Sequence, residues 1–436
     1  MAAVLVIGVN AFGGQKTPIQ AIESLTTAQQ AFKDAEAAYN GVSGPGIDLI
    51  SNDPKRALEL LTTAYQKLAE AEKAGYPTDK VSALRAKITV GLDTLYRVVK
   101  VASAPLFTFP ADTTVSLTGL VRGADGAPYV LDAANKTVWR IDLAKRSATP
   151  ILAADDKIAG VKVGIPRLIT TGGPDVLVLD DKNQLWRWRP VDAKGNGTIV
   201  KIKVTGATSW GNDILDIATF VANFDAALYK LYVVDPSEQN IMVLSPANDG
   251  SGYPMKPSSR LPTNRPVDGI TDIVLDGDIF VAENGAVARV IPAAGWSAQL
   301  PRDTAVRPTS RYVLLSSPDK PDGQSSRRDG ALYAYDKTNH RIVAFNKLDG
   351  SYIVQYQLAY GEAGWSDLQG MVVLPAATTD APPVMWWISG TGLQAVTFEA
   401  VADPNTKPTA SPSPAPAPTA TPKPTKTPKP RKTPKP

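Results

Sequence analysis

Any chemistry performed by this chain of 436 residues must be done almost without the usual nucleophiles and metal ligands, because it contains no cysteine and one histidine, His340. Thiolate zinc sites, cysteine nucleophiles, disulfides, iron–sulfur clusters and multi-histidine metal sites are thereby excluded. A Ser-His-Asp arrangement would have to use His340, which sits inside a short hairpin and reads as turn filler. No G-x-x-x-x-G-K-[ST] phosphate loop, G-x-G-x-x-G fingerprint, G-x-S-x-G elbow or H-E-x-x-H helix occurs. The acids remain. Asp132, Asp180, Asp235, Glu283 and Asp336, with Ser389 in the sixth place, recur at separations of 48, 55, 48, 53 and 53 residues. Each follows an apolar, aromatic-rich run and leads a turn, so the pattern predicts acceptors for turn amides rather than catalytic or metal-binding groups. The run Trp186-Arg187-Trp188-Arg189 would send tryptophans to one face of a strand and arginines to the other. That suits packing between sheets or, as the sharper alternative, a cation–π ligand platform. Trp186 and Trp188, with Arg327 and Arg328 of a long basic loop, form the candidate binding surface; no residue is assigned as catalytic, cofactor-binding or metal-ligating.

These residues need a scaffold, and the periodicity supplies one. Over residues 15–104 apolar side chains recur at spacings of three and four in three stretches, the period of amphipathic helices. The first opens at Thr17-Pro18 and carries Ile22, Leu25, Phe32 and Tyr39; the second opens at Asp53-Pro54 and carries Leu58, Leu61, Tyr65 and Leu68. The third runs from Val81 through Leu92 to Val99. Three one-sided helices predict a small antiparallel bundle, a helical neck. From residue 112 the period becomes two and Gly, Pro, Asn and Asp punctuate short runs; all eight tryptophans lie beyond this point. Here a hairpin recurs six times, as Tyr129-VLD-AANKT-VWRI, Val176-LVLD-DKNQ-LWRW and Leu231-YVVD-PSEQN-IMVL. It returns as Ile279-FVAE-NGAVARVI, Leu332-YAYD-KTNHR-IVAF and Met385-WWIS-GTG-LQAV. Each is preceded by another short apolar strand, from Leu117, Pro166, Ile214, Ile270, Tyr312 and Leu368. The sequence thus predicts a mainly β fold, a six-bladed β-propeller over residues 105–400, closed by a strand near 105–111 that pairs with the last blade.

The repeat, best seen in PVDGITDIVLDGDIFVAENGAVARVI of residues 266–291, resembles the NHL/YVTN-like six-bladed propeller families. It covers about two thirds of the chain and implies the fold more than any activity. Gluconolactonase-type propellers are a related resemblance. They imply a calcium ion in the central channel, with Asp213, Asp216, Asp272, Asp367, Glu362 and Asn212 near comparable places, although no D-x-D-x-D-G spacing is present. Calcium is therefore an option, within the alternative of a calcium-dependent hydrolase or lactonase.

Residues 1–14 are apolar or small without a preceding Lys or Arg, and are expected to be a truncated transmembrane or signal segment. Residues 401–436 hold 12 of the 37 prolines and are expected to form a disordered Pro/Thr/Lys-rich tail. The tail has a net charge of +6, so the +4 of the whole chain leaves −2 for residues 1–400. Nucleic acid is accordingly an unlikely partner for the propeller, while the tail suits an anionic wall polymer. The leading expectation is a non-enzymatic, extracytoplasmic, membrane-anchored or secreted propeller that binds a protein or small ligand. It resembles the outer part of bacterial receptor Ser/Thr kinases or PPM-type phosphatases.

Overall fold

In a computed structural model the described residues are 18–398, apart from 193, 206–209, 212, 291–295, 300–302, 304–305, 319–329, 360–363 and 377–380. The expected N-terminal segment, the tail, Arg327 and Arg328 lie outside them. Four helices come first: α1 Pro18–Ser43, α2 Leu49–Asn52, α3 Pro54–Lys73 and α4 Thr78–Leu95. Asp53 caps α3, its carboxylate accepting the Arg56 N–H at 3.1 Å, and Pro54 occupies the first turn, where no amide is needed. Ala57, Leu61, Ala64 and Leu68 of α3 face Val81, Leu84, Ile88 and Leu92 of α4 in one core, which Ala35 and Val42 of α1 join. No helix among the described residues is long and apolar enough to cross a membrane.

One expectation fails at the end of this unit. The helical period read as far as Val99 stops at Leu95; Arg97 turns the backbone at φ 51° and Val98–Val101 is a β-strand. It pairs in parallel with Tyr352–Leu358. Valines spaced for a helix are also good strand formers, and the open edge of a blade decides between the two.

The remainder is a six-bladed β-propeller. Blade I is Leu117–Arg122, Pro128–Asp132, Thr137–Asp142 and Ser147–Ala153; blade II is Pro166–Gly172, Asp175–Asp180, Leu185–Pro190 and Gly197–Val204. Blade III is Asp216–Asn223, Leu228–Asp235, Asn240–Leu244 and the short Ser258–Ser259, while blade IV comprises, among the described residues, Ile270–Leu275, Ile279–Glu283 and Ala286–Arg289. Blade V is Tyr312–Ser316, Ala331–Asp336, Arg341–Asn346 and Tyr352–Leu358. Blade VI is Gly370–Leu374, Val384–Ser389 and Gly392–Thr397, completed by Ser103–Thr108 from before blade I. That N-terminal strand closes the ring as predicted, removing the free edge between first and last blade. Apolar faces of neighbouring blades form the cores: Leu131 and Val138 of blade I meet Val178 and Trp186 of blade II, all buried. Each such side chain contributes roughly 1.5–3 kcal/mol by leaving water.

Buried charges fasten the helices to blade V. Arg307 donates to Asp93 of α4 at 2.5 Å and to Asp303 at 3.0 Å. Arg341 links Asp303 at 2.5 Å to Asp336 at 2.9 Å, and Gln355 donates to the Tyr96 carbonyl at 3.1 Å.

Candidate functional site

The register of each blade defines a ring at the channel wall. In every blade the residue before the turn-leading position faces one inner-strand residue: Gly119, Leu168, Asp216, Asp272, Leu314 and Gly370 in blades I to VI. All six line a cavity of about 400 Å³ at the centre of the propeller. A Cβ at Gly119 would lie 2.9 Å from the Ile169 side chain, so the close approach of two inner strands requires glycine there. The ring is therefore two glycines, two leucines and two adjacent aspartates.

Both aspartates reach across to the next blade. Asp216 accepts the N–H of Ile217 on Oδ1 at 2.8 Å and that of Ile273, in blade IV, on Oδ2 at 2.9 Å. Asp272 accepts the Leu315 N–H of blade V on Oδ2 at 2.6 Å. The two carboxyls also hydrogen-bond to each other. Both oxygens of Asp216 already accept amides, so the shared proton sits on Asp272. Burial pushes Asp216 up to about 6 against the hydrogen bonds it accepts. Asp272 is raised well above the ordinary carboxylate value, by burial first and by the charge of Asp216 second. Other polar groups of the inner strands are engaged in the same way. Thr219 donates to the Thr171 carbonyl, Thr271 to the Val313 carbonyl at 2.9 Å, and the Ser316 hydroxyl accepts the Val373 N–H at 2.8 Å.

At the far end of the channel Ser317 Oγ lies 2.5 Å from Asp276 and 3.1 Å from Lys347 Nζ. Lys347 is ion-paired with buried Asp276. The trio ties blade V to the Asp276–Asp278 turn of blade IV.

The turn-leading acids bond to nearby donors. Asp132 accepts Ser116 N–H at 2.9 Å, Ala134 N–H at 3.1 Å and the Trp139 indole at 3.2 Å. Asp180 takes the corresponding Gly164 and Lys182 amides and the Trp186 indole at 2.8, 2.9 and 2.9 Å. Asp336 takes Arg311 and Thr338 amides and Arg341 at 2.9, 3.2 and 2.9 Å. Asp235 accepts Ser237 N–H at 3.0 Å and Gly211 N–H at 3.3 Å, and Glu283 pairs with Arg265. Ser389 pairs with Gly392 in the last hairpin, where Asp367 from the preceding segment accepts the Gly390 N–H at 3.3 Å. His340 is exposed in the left-handed turn position, φ 49°, shared with Lys136, Asn183, Gln239 and Asn284 in other blades.

Of the candidate binding surface, only Trp186 and Trp188 lie among the described residues. Trp186 is wholly buried between blades I and II, so as a ligand platform it is a misreading, and its strand face is a packing face. Trp188 is half-buried beside it, its indole donating to the Tyr129 hydroxyl at 3.3 Å. Arg187 and Arg189 on the other face bond to the Gly250 carbonyl at 2.8 Å and to Asp175 at 2.6 Å. Among the described calcium candidates, Asp216 and Asp272 come together and Asp213 and Asp367 bond elsewhere. Asp213 is exposed and bonded to Ser237, Asp367 is exposed on Gly390, and Asp216 and Asp272 bind amides; Asn212 and Glu362 lie outside the described residues. No cluster of three metal-capable side chains occurs among the described residues. Sequence reasoning named Asp216 and Asp272 but missed their pairing; the signal was I-x-D-I at Ile214–Ile217, spelled Ile-Leu-Asp-Ile, and again at 270–273.

No family model and no curated protein matches this chain. Solved structures do. A protein assigned as a gluconolactonase aligns at 11% identity over 70% of this chain and 95% of its own, with a TM-score of 0.40. The PQQ-bound aldose sugar dehydrogenase from Streptomyces coelicolor aligns at 14% identity over 68% and 98%, with a TM-score of 0.41. A chain of a nidogen/laminin complex aligns at 13% identity over 59% and 92%, with a TM-score of 0.35. The six-bladed fold of this chain rests on its own strand topology.

Proposed function

We propose that this chain is a binding propeller, a sensor or scaffold module for a protein or small ligand, and not an enzyme. The observation that carries this reading is the engagement of the channel acids, Asp216 and Asp272, with backbone amides of the next blade. Carboxyls so committed hold the scaffold; they are poorly placed to hold a metal or to move a proton to a substrate. The competing reading is a calcium-dependent hydrolase or lactonase, and one experiment separates them. Full-length protein is offered calcium and a panel of simple lactones, with hydrolysis and thermal stability recorded. The expected result is no calcium-dependent turnover and no calcium-dependent rise in melting temperature. Turnover that requires calcium and is lost in Asp216→Asn would overturn the proposal.

We further place the propeller outside the cytoplasm, as the outer part of a membrane signalling protein, on the support of the apolar run at residues 1–14 and the Pro/Thr/Lys-rich composition of 401–436. The tail reading has its own test. Binding to an anionic wall polymer should weaken steeply with salt and vanish on deleting residues 404–436, whereas equal binding by the truncated chain contradicts it.

A further inference from the structure

Among the described residues the channel wall carries four charged or titratable groups. Arg122 and Arg167 come from blades I and II, Asp216 from blade III and Asp272 from blade IV; blades V and VI line it with uncharged groups such as Leu314, Ser316 and Gln369. The two aspartates pair with each other. The two acids sit at equivalent positions of adjacent inner strands, and each reaches one blade onward, Asp216 to Ile273 and Asp272 to Leu315. Three inner strands are thus joined in series through one carboxyl–carboxyl contact. At the same level of the ring, blades I and VI have glycine and blades II and V leucine. This sector therefore holds its inner strands by a different means from the rest of the channel.

We propose that the Asp216–Asp272 pair is a proton-dependent staple, which holds the blade III–IV–V sector of the channel wall closed while the proton is shared and loosens it when the proton is lost. Two carboxylates in contact repel. The ordinary carboxylate value is far below that of either folded group, and both protonation steps belong to the pair. A raised folded pKa favours the native state at acid pH, and that contribution is lost as pH rises through the folded value. Ionisation of Asp216 at about 6 leaves the shared proton on Asp272, and loosening comes above that, when Asp272 gives the proton up.

Amide hydrogen exchange on the full chain tests this directly. After correction for intrinsic exchange, protection of Ile273 and Leu315 should fall by about tenfold or more as the pH is raised from about 6 to about 10, through the loss of the Asp272 proton. In Asp272→Asn it should stay flat, because the carboxamide oxygen can accept the Leu315 N–H while its NH2 donates to Asp216. Amides of the blade I and II inner strands should not change in either protein. Parallel profiles for wild type and variant, or no fall in the wild type, overturn the proposal. Should the variant fail to fold, infrared difference spectra of the wild type decide. A protonated-carboxyl C=O band that persists near neutral pH and titrates away above it supports the staple, and its absence overturns it.

Discussion

Asp336 and Asp272 sit in neighbouring blades, both shielded from bulk water, yet the structure drives them in opposite directions. Burial works to raise Asp336, but the amide of Arg311, the Asn339 side chain and the Arg341 guanidinium outweigh it, and its carboxyl titrates below the ordinary range. Asp272 has the amides of Leu315 and Ile273 but also another acid for company, and burial and that charge carry it well above the ordinary range. The difference lies in the third strand of the blade. Blade V puts Arg341 two cross-strand steps from the wall, where it also pairs with Asp303, whereas the channel pair accepts backbone amides and shares a hydrogen bond of its own. The same residue type is thus an anion that clamps the helical unit in one place and a proton holder that joins inner strands in the other.

The sharpest way to break this contrast is to remove the cation. Arg341→Ala leaves Asp303 and Asp336 buried without their partner, and a loss of about 3–5 kcal/mol in denaturant unfolding is expected. A loss confined to surface magnitudes would mean that the clamp is not buried in solution. Next comes Asp216→Asn. Both oxygens of Asp216 accept amides, so the carboxamide must turn a donor toward the Ile217 or Ile273 N–H, with an expected cost of about 1–3 kcal/mol. Asp272→Asn should cost far less, and equal penalties for the two variants would place the shared proton on the wrong residue. Trp186→Phe keeps the packing between blades but deletes the indole N–H that meets Asp180, and a loss of about 1 kcal/mol is expected. Smallest of all is Arg56→Ala on α3, whose pairing with Glu59 is exposed; no change beyond error in melting temperature is expected.

The fold was legible because its unit is local. A strand, an acidic turn and a second strand fit in about fifteen residues, and a left-handed turn residue such as Lys136 or His340 repeats at one place in the hairpin. The closing strand could be inferred because an odd apolar segment preceded the first blade. Val98–Val101 could not, since its partner lies some 250 residues away and its valines continue the helical spacing of Leu92 and Leu95. Trp186 shows the same limit. Alternation gives a face to each side chain of the run at 185–190 but does not say whether that face meets water or the neighbouring blade. The acid pair required knowing that successive repeats become angular neighbours, so that two I-x-D-I segments place their carboxyls side by side.

The central claim is that charge context, and not residue type, sets what these buried acids do, and one measurement addresses it most directly. Equilibrium unfolding of wild type and Asp272→Asn is followed from about pH 5 to about pH 8. Above the ordinary carboxylate range the folded chain keeps on Asp272 a proton that the unfolded chain has lost, so the wild type should lose stability as pH rises across this window. The variant should therefore gain on the wild type with rising pH, by about 1.4 kcal/mol for each pKa unit of displacement removed. A constant difference between the two proteins across that range, or a variant that loses ground as pH rises, would contradict it.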